Sequence, residues 1–255
     1  MRLSEINKLI LSKKSFLCVG LDPDPSKIGD TTPVNFCLSI INSTIDYAVA
    51  YKLNTSFFEF FGKEGWEGMI FLSKYLKRKG VFVIADAKRA DIGNSSNMYA
   101  KAFFDEMESD AITLSPYMGY DSIEPFLKYK DKTSILLSLT SNDGSNDFQM
   151  LKLDNGKRLY EQVIETSLNW KTKGDIMYVV GATRADELEN IRRICPDNFL
   201  LVPGIGHQEG SLEKVIEKGM NKNIGLLINV SRSIIYSDNP SEEAHKIQKI
   251  MEKYV

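Results

Sequence analysis

The stretch Val81-Phe-Val-Ile-Ala-Asp-Ala-Lys-Arg-Ala-Asp-Ile-Gly-Asn94 joins an apolar run to a dense group of charges. Residues 81–85 are apolar, with β-branched and aromatic members and no polar alternation, which is typical of a strand buried on both faces. Asp86, Lys88 and Asp91 follow directly. A buried strand that ends in charges of both signs indicates that its end opens into a functional site.

The same arrangement recurs along the chain, since short apolar runs alternate with polar loops and helical patterns. The predicted strands are residues 16–20, 48–52, 81–85, 111–114, 134–138, 176–181, 198–202 and 224–229. Strands that alternate with helices predict a parallel sheet. Eight such units match an α/β (β/α)8 TIM barrel, which typically needs roughly 250 residues. The absence of a linker or a composition shift predicts a single domain over residues 1–255.

A doubly wound open sheet is the alternative architecture. Its common nucleotide-binding motif, GxGxxG after the first strand, is absent from this sequence. The nearest match, Gly204-Ile-Gly206, follows the seventh run and so occurs in the wrong place for that motif. The barrel is therefore the favoured prediction.

Composition narrows the range of partners. The formal net charge of -2 gives no indication of a nucleic-acid or anionic-membrane partner. No run approaches the roughly 18 apolar residues that a membrane span requires. Three widely spaced cysteines, Cys18, Cys37 and Cys195, fit no zinc-binding pattern. We expect a cytoplasmic protein without a metal site.

Polar residues follow the ends of the predicted strands, where barrels of this kind collect their chemistry. Lys52 ends the second run, and Asp86, Lys88 and Asp91 follow the third. Together they would form an array of alternating charge, in which each ion partly compensates the next. The alternative interpretation is a solvated loop with one salt bridge. The position at the end of an apolar strand favours the functional interpretation.

The loops after the seventh and eighth runs indicate a phosphate site. Residues 204–210 are rich in glycine and include Gln208, and Arg232 follows the eighth run. Barrels often bind phosphate at this place through loop amides and a cation. A pair of ordinary turns with a surface arginine is the alternative. For Thr140 and Ser141, chemistry alone favours a helix cap or turn over contact with a heterocycle.

Several of these segments together resemble one known family. Residues 84–94 are similar to the signature of orotidine 5'-phosphate decarboxylase in its longer, second subclass. Residues 16–24, 51–54, 139–142, 202–208 and 229–232 fall in the same order and spacing as in that family. The resemblance covers nearly the whole chain, about residues 4–254.

The resemblance implies a homodimeric (β/α)8 barrel with its active sites at the dimer interface. The implied reaction converts orotidine 5'-phosphate to uridine 5'-phosphate (UMP) and CO2 without metal or organic cofactor, as the last step of de novo pyrimidine synthesis. Association with the preceding enzyme, orotate phosphoribosyltransferase, is left open.

The resemblance also implies roles for individual residues. The implied catalytic residues are Lys52, Asp86, Lys88 and Asp91, with Lys88 as the proton donor at C6. The implied substrate contacts are Asp22 and Asn54 at the ribose, Thr140 and Ser141 at the pyrimidine, Pro203 and Gln208 in a closing loop, and Gln208 and Arg232 at the phosphate. Asp91, Ile92 and Ser95 would reach the partner's site. The family loop often has a small residue and a glycine where His207 and Glu209 stand here.

Two other functions remain open from the residues alone. Related barrels with the same Asp-x-Lys-x-x-Asp spacing act on keto-sugar phosphates with magnesium. A non-catalytic barrel that binds nucleotide phosphates is the second possibility, which the four charged positions disfavour. Retained turnover in a chelator distinguishes the cofactor-free decarboxylase from the magnesium enzyme.

Overall fold

The computed structural model describes residues 1–205 and 211–255. Within these ranges, eight parallel strands form a closed barrel in chain order, and β8 pairs with β1. The strands are β1 Leu17–Leu21, β2 Ala48–Asn54, β3 Phe82–Arg89, β4 Ala111–Leu114, β5 Thr133–Leu139, β6 Asp175–Val180, β7 Leu200–Pro203 and β8 Leu226–Val230. The predicted (β/α)8 barrel is confirmed, and the open-sheet alternative is wrong.

Helices follow the strands along the chain. The α-helices are α1 Leu3–Lys13, α2 Pro33–Thr44, α3 Thr55–Glu59, α4 Gly62–Arg78, α5 Gly93–Lys101, α6 Tyr120–Leu127, α7 Ser145–Phe148, α8 Leu159–Leu168, α9 Leu188–Ile194, α10 Leu212–Gly219, α11 Arg232–Ile235 and α12 Pro240–Met251. A π-helical segment, Ala102–Glu106, continues α5, and short 3-10 helices span Pro116–Met118, Ala182–Glu187 and Glu252–Tyr254. None of the helices within the described ranges has the length and apolar character of a membrane span.

The strands are buried almost throughout, which explains their continuous apolar runs. β1, β4 and β8 are buried at every position. A barrel strand turns one face to the interior and the other to the surrounding helices, so neither face needs polar alternation. The sequence pattern and the closed topology therefore have the same physical cause.

Polar caps begin several of the helices that follow the strands. Thr32, Ser211 and Asn239 each accept a hydrogen bond from a backbone amide in the first turn of α2, α10 and α12. Pro33 and Pro240 occupy the first turn of their helices, where no intrahelical donor is needed. These caps fix where the connecting loops end and the helices begin.

Two strands extend further than the sequence indicates. β2 continues to Asn54 and β3 to Arg89, although the apolar runs end at Lys52 and Ala85. Asp86 keeps its pairing with β2, since it lies opposite Asn54, and Arg89 pairs with Leu114 of β4. Backbone pairing with neighbouring strands, rather than side-chain polarity, decides where these strands end.

Candidate active site at the carboxyl ends of the strands

A lysine and an aspartate from adjacent strands form a buried ion pair near the carboxyl end of the barrel. Lys52 of β2 donates from Nζ to Oδ2 of Asp86 of β3 across 2.7 Å. Only 4% of Lys52 and 8% of Asp86 are exposed. Removing two charges from water costs several kcal/mol of desolvation free energy unless they are closely paired. Neither residue could therefore be buried in its charged form without this contact.

Lys88 continues the array from the buried pair to the open rim. Its Nζ lies 2.6 Å from Oδ1 of Asp86, and about half of its side chain (51%) is exposed. On the other side, Oδ1 of Asp22 lies 3.9 Å from Nζ of Lys52. Carboxylates and ammonium groups therefore alternate from Asp22 through Lys52 and Asp86 to Lys88.

The pKa values of the buried pair are set by their mutual attraction. Burial alone would raise the pKa of Asp86, but Lys52 and Lys88 outweigh it and hold that pKa well below its usual range. Burial alone would lower the pKa of Lys52, but Asp86 and Asp22 reverse the effect and raise it. Both groups are therefore charged at neutral pH, and the alternation of charge is fixed.

Thr113 of β4 belongs to this cluster, although sequence reasoning missed it. Its Oγ1 donates to Oδ1 of Asp86 across 2.9 Å and accepts from the backbone amide of Lys88 across 3.0 Å. Its only signal in the sequence is a hydroxyl within the apolar run at residues 111–114. Because the partners lie on another strand, the run itself gave no indication of the contact.

The structure does not bring Asp91 into the array of its own chain. Asp91 is half-buried, and its Oδ1 accepts from the amide of Ile92 across 2.8 Å. Among the described residues, no ion pair joins Asp91 to Lys52 or Lys88. Ile92 is 56% exposed and Ser95 is also exposed, so this segment presents its side chains at the surface.

The remaining residues expected at the ribose lie on the same rim. Asn54 is the last residue of β2, and its Oδ1 accepts from Ser56 Oγ across 3.0 Å. Asp22 follows β1, and its backbone carbonyl accepts from the hydroxyl of Tyr236 across 2.5 Å. The hydroxyl of Tyr236 also accepts from the amide of Asp24 across 2.8 Å, so it fixes the loop that carries Asp22. Sequence reasoning gave no indication of this role for Tyr236.

Thr140 and Ser141 follow β5 in a tightly held loop. The amide of Thr140 donates to Oε1 of Gln149 across 2.7 Å, and its hydroxyl donates to Oδ1 of Asn142 across 2.6 Å. A Cβ at Gly181 would lie 2.6 Å from the backbone nitrogen of Ser141. Only glycine allows the ends of β5 and β6 to approach this closely.

The residues expected at the phosphate come from the last two units. Pro203 ends β7 and lies opposite Asn229 of β8, and Arg232 begins α11 directly after β8. Both therefore lie at the carboxyl end of the barrel. Gln208, with its neighbours His207 and Glu209, lies outside the described residues. In the part of the chain that is described, no three histidine, cysteine, aspartate or glutamate residues form a metal-binding group.

The barrel carries a buried lysine–aspartate pair and a half-exposed lysine at the carboxyl ends of its strands. This is the arrangement of an enzyme active site in a (β/α)8 barrel. Comparison with known proteins identifies the family. A family model described as Orotidine 5'-phosphate decarboxylase / HUMPS family matches residues 15–247, and the chain belongs to this family.

Individual relatives agree with the family model over the whole chain. The chain is 50% identical over 270 residues to orotidine 5'-phosphate decarboxylase of Flavobacterium johnsoniae, covering 100% of this chain and 98% of that protein. Leishmania donovani OMP decarboxylase superposes with a TM-score of 0.90 at 37% identity, over 100% of both chains. Leishmania donovani UMP synthase has a TM-score of 0.90 at 39% identity, and the match spans 98% of this chain but 56% of that protein.

Proposed function

We propose that this chain converts orotidine 5'-phosphate to UMP and CO2, the last step of de novo pyrimidine synthesis. The proposal is carried by the array of Lys52, Asp86 and Lys88, which crosses from the buried core to the open rim. Curated relatives of about 50% identity, such as that of Flavobacterium johnsoniae, bear the name of this activity. The decarboxylase of Leishmania donovani has the same fold over its full length.

Lys88 is proposed as the group that stabilises and then protonates the reacting carbon. Loss of CO2 from C6 leaves a carbanion without an adjacent electron sink. An ammonium group close to C6 stabilises that charge electrostatically and then donates the proton. Lys88 is suited to this role, since about half of its side chain is exposed and Asp86 orients its Nζ at 2.6 Å.

Asp86 and Lys52 are proposed to prepare the site for this step. Asp86 remains ionised because Lys52 and Lys88 hold its pKa low. A carboxylate beside the substrate carboxylate disfavours the bound ground state, and the repulsion is relieved as CO2 departs. Lys52 is fully enclosed, so its role is to keep Asp86 charged and in place.

Binding energy for the reaction is proposed to come from groups remote from C6. The phosphate would be held by Gln208 and Arg232 with Pro203 in the closing loop, the ribose by Asp22 and Asn54, and the pyrimidine by Thr140 and Ser141. Phosphate binding far from the reacting carbon can drive loop closure and organise the charged array. No metal or organic cofactor takes part in this proposal.

We further propose that the active unit is a homodimer in which Asp91 and Ile92, with Ser95, serve the partner's site. Exposed apolar side chains lie in segments that follow three neighbouring strands: Phe60 after β2, Ile92 and Met98 after β3, and Tyr117 and Met118 after β4. An apolar sector of this kind on one rim is typical of a protein interface. It also contains Asp91, which is not paired with the array of its own chain.

Mixing two inactive variants tests the dimer proposal. Lys88→Ala and Asp91→Ala are each expected to lack turnover when assayed alone. After unfolding and refolding together, hybrid dimers contain one intact site of two, so roughly a quarter of the wild-type activity should return for a two-fold symmetric pair. If Asp91 acts within its own chain, the mixture stays inactive. Light scattering on the wild type gives the oligomeric state independently.

Ultraviolet absorbance of orotidine 5'-phosphate tests the activity itself. We expect the absorbance to decay with purified protein in the presence of a chelator. No decay with or without the chelator, and no binding of UMP, would favour the magnesium-dependent sugar-phosphate reaction instead. Calorimetric binding of UMP without any decay would favour a non-catalytic barrel.

Lys88→Ala is expected to abolish turnover and to leave UMP binding measurable. Lys128→Ala is the matched control, since Lys128 is an exposed lysine paired with Glu124 on α6. Near-normal turnover in Lys88→Ala would contradict the role of Lys88 as proton donor.

Residues 1–255 are proposed to act as one cytoplasmic catalytic domain that associates with orotate phosphoribosyltransferase. The match to only part of Leishmania donovani UMP synthase supports this proposal, since in that protein a chain of this kind is joined to further sequence. Co-purification of the two enzymes from a gentle lysate tests the association. The variant Ile92→Asp, which alters a residue of the proposed homodimer contact, serves as a comparison. Separate elution of the two enzymes at physiological salt would contradict it.

A further inference from the structure

The third strand leaves its regular pairing where the charged array begins. Ala85 pairs with Ile112 of β4, and the next pair joins Arg89 to Leu114, so residues 86–88 lie opposite Thr113 alone. Lys88 has a φ of 48°, in the left-handed region that non-glycine residues seldom adopt. Bulges of this kind redirect side chains beside active sites and require support from their surroundings.

We propose that Thr113 is a positioning residue that holds this bulge and thereby orients Lys88 and Asp86; the inference rests on the proposed decarboxylase function. The hydroxyl accepts from the amide of Lys88 at 3.0 Å, so its own hydrogen points to Oδ1 of Asp86 at 2.9 Å. Thr113 is 1% exposed, so its hydroxyl is closed off from bulk water. One hydroxyl thus joins the backbone of the proton donor to the carboxylate beside it.

Arg89 supports the bulge from its other side. Its guanidinium donates to the carbonyl of Ala87 across 3.0 Å and forms an ion pair with Glu59 of α3. The same group lies over the rings of Tyr99 and Phe103, 5.4 and 5.6 Å from their centroids. The carbonyl of Ala87 and the amide of Lys88 belong to one peptide unit, so Arg89 and Thr113 hold the two sides of the peptide that precedes Lys88.

Loss of the Thr113 hydroxyl removes the acceptor that the left-handed amide of Lys88 requires. The backbone can then relax to the extended region, and Nζ moves from the place where it meets both Asp86 and the substrate. The residues proposed to bind phosphate and pyrimidine lie on other strands and are not affected. We therefore expect kcat to fall while KM and UMP binding stay nearly unchanged.

Thr113→Val and Thr113→Ser test the inference. Thr113→Val keeps the shape and is expected to lower kcat by about ten- to a hundredfold, as for a buried donor left without its partner. Thr113→Ser restores the hydroxyl and is expected to recover most of the loss. Thr133→Val is the matched control, since Thr133 is buried at the start of β5 and its hydroxyl has no hydrogen-bond partner among the described residues. Its kcat should equal that of the wild type.

The outcomes separate this inference from the proposed function. If the wild type does not turn over orotidine 5'-phosphate, the proposed decarboxylase function is contradicted, whatever the Thr113 variants show. Wild-type kcat in Thr113→Val, or equal losses in the serine and valine variants, overturns the inference while the function stands. If Thr113→Val does not fold, Arg89→Met tests the same bulge from its more accessible side. A selective fall in kcat then supports the inference, and an unchanged kcat overturns it.

Discussion

The buried pair of Lys52 and Asp86 leads to a prediction about stability. Lys52→Met keeps the length of the side chain and removes its charge, leaving a carboxylate that is 8% exposed. Removal of one partner of a buried pair typically costs about 3–5 kcal/mol. Oδ1 of Asp86 keeps its bonds to Lys88 and Thr113. We therefore expect a loss near the lower limit, about 3 kcal/mol of unfolding free energy.

A double variant distinguishes this explanation from a general disturbance of packing. In Lys52→Met/Asp86→Leu both charges are replaced by apolar groups of similar shape, which is often neutral or even stabilising at buried sites. Urea unfolding, followed by tryptophan fluorescence, measures the free energy of unfolding. The double variant should recover at least half of the loss in this free energy seen in Lys52→Met. Neither variant is expected to turn over substrate. A double variant as unstable as Lys52→Met would refute the reasoning.

The pH dependence gives a second check on the same pair. The pKa of Asp86 lies below its usual value of 3.8, so its stabilising contribution is present above that value and is lost as the pH falls through the lower, folded-state pKa. The pKa of Lys52 lies above 10.5, so its contribution is present below that value and is lost as the pH rises through the folded-state pKa. The stability difference between wild type and Lys52→Met should therefore be largest near neutral pH and smaller below pH about 4.

Two further variants test the rim. Arg232→Ala should weaken the binding of UMP far more than that of uridine, because a guanidinium binds phosphate oxygens in bidentate fashion. Calorimetry measures the affinity for both ligands, and equal losses would contradict a phosphate-binding role for Arg232. Gly181→Ala should displace the loop of Thr140 and Ser141, because the new Cβ would lie 2.6 Å from the Ser141 nitrogen. We expect a stability loss of about 1–3 kcal/mol together with a raised KM for orotidine 5'-phosphate. An unchanged KM would exclude this loop from the substrate site.

Much of the architecture was determined by local sequence. Apolar runs alternate with helical patterns because each barrel strand is covered on both faces, and this periodicity is visible without any tertiary information. The bounds predicted for the fourth strand, residues 111–114, are those of β4. Lys52, Asp86, Lys88 and Asp91 were predicted to lie together because the carboxyl ends of parallel strands meet on one rim. The structure places both lysines in contact with Asp86, whereas Asp91 is not paired with this array within its own chain.

The tertiary structure alone decided how that rim is built. Periodicity gives the face of a side chain but not the register between strands, so the bulge of β3 and its continuation to Arg89 were not predictable. Thr113 and Tyr236 act through partners on distant parts of the chain. Arg89, the one charge of the opening stretch without a predicted role, supports the bulge through contacts made in the folded protein. The sequence by itself placed the charges at the strand ends, and the pairing of strands determined their geometry, because hydrogen bonds between strands fix a register that no single segment encodes.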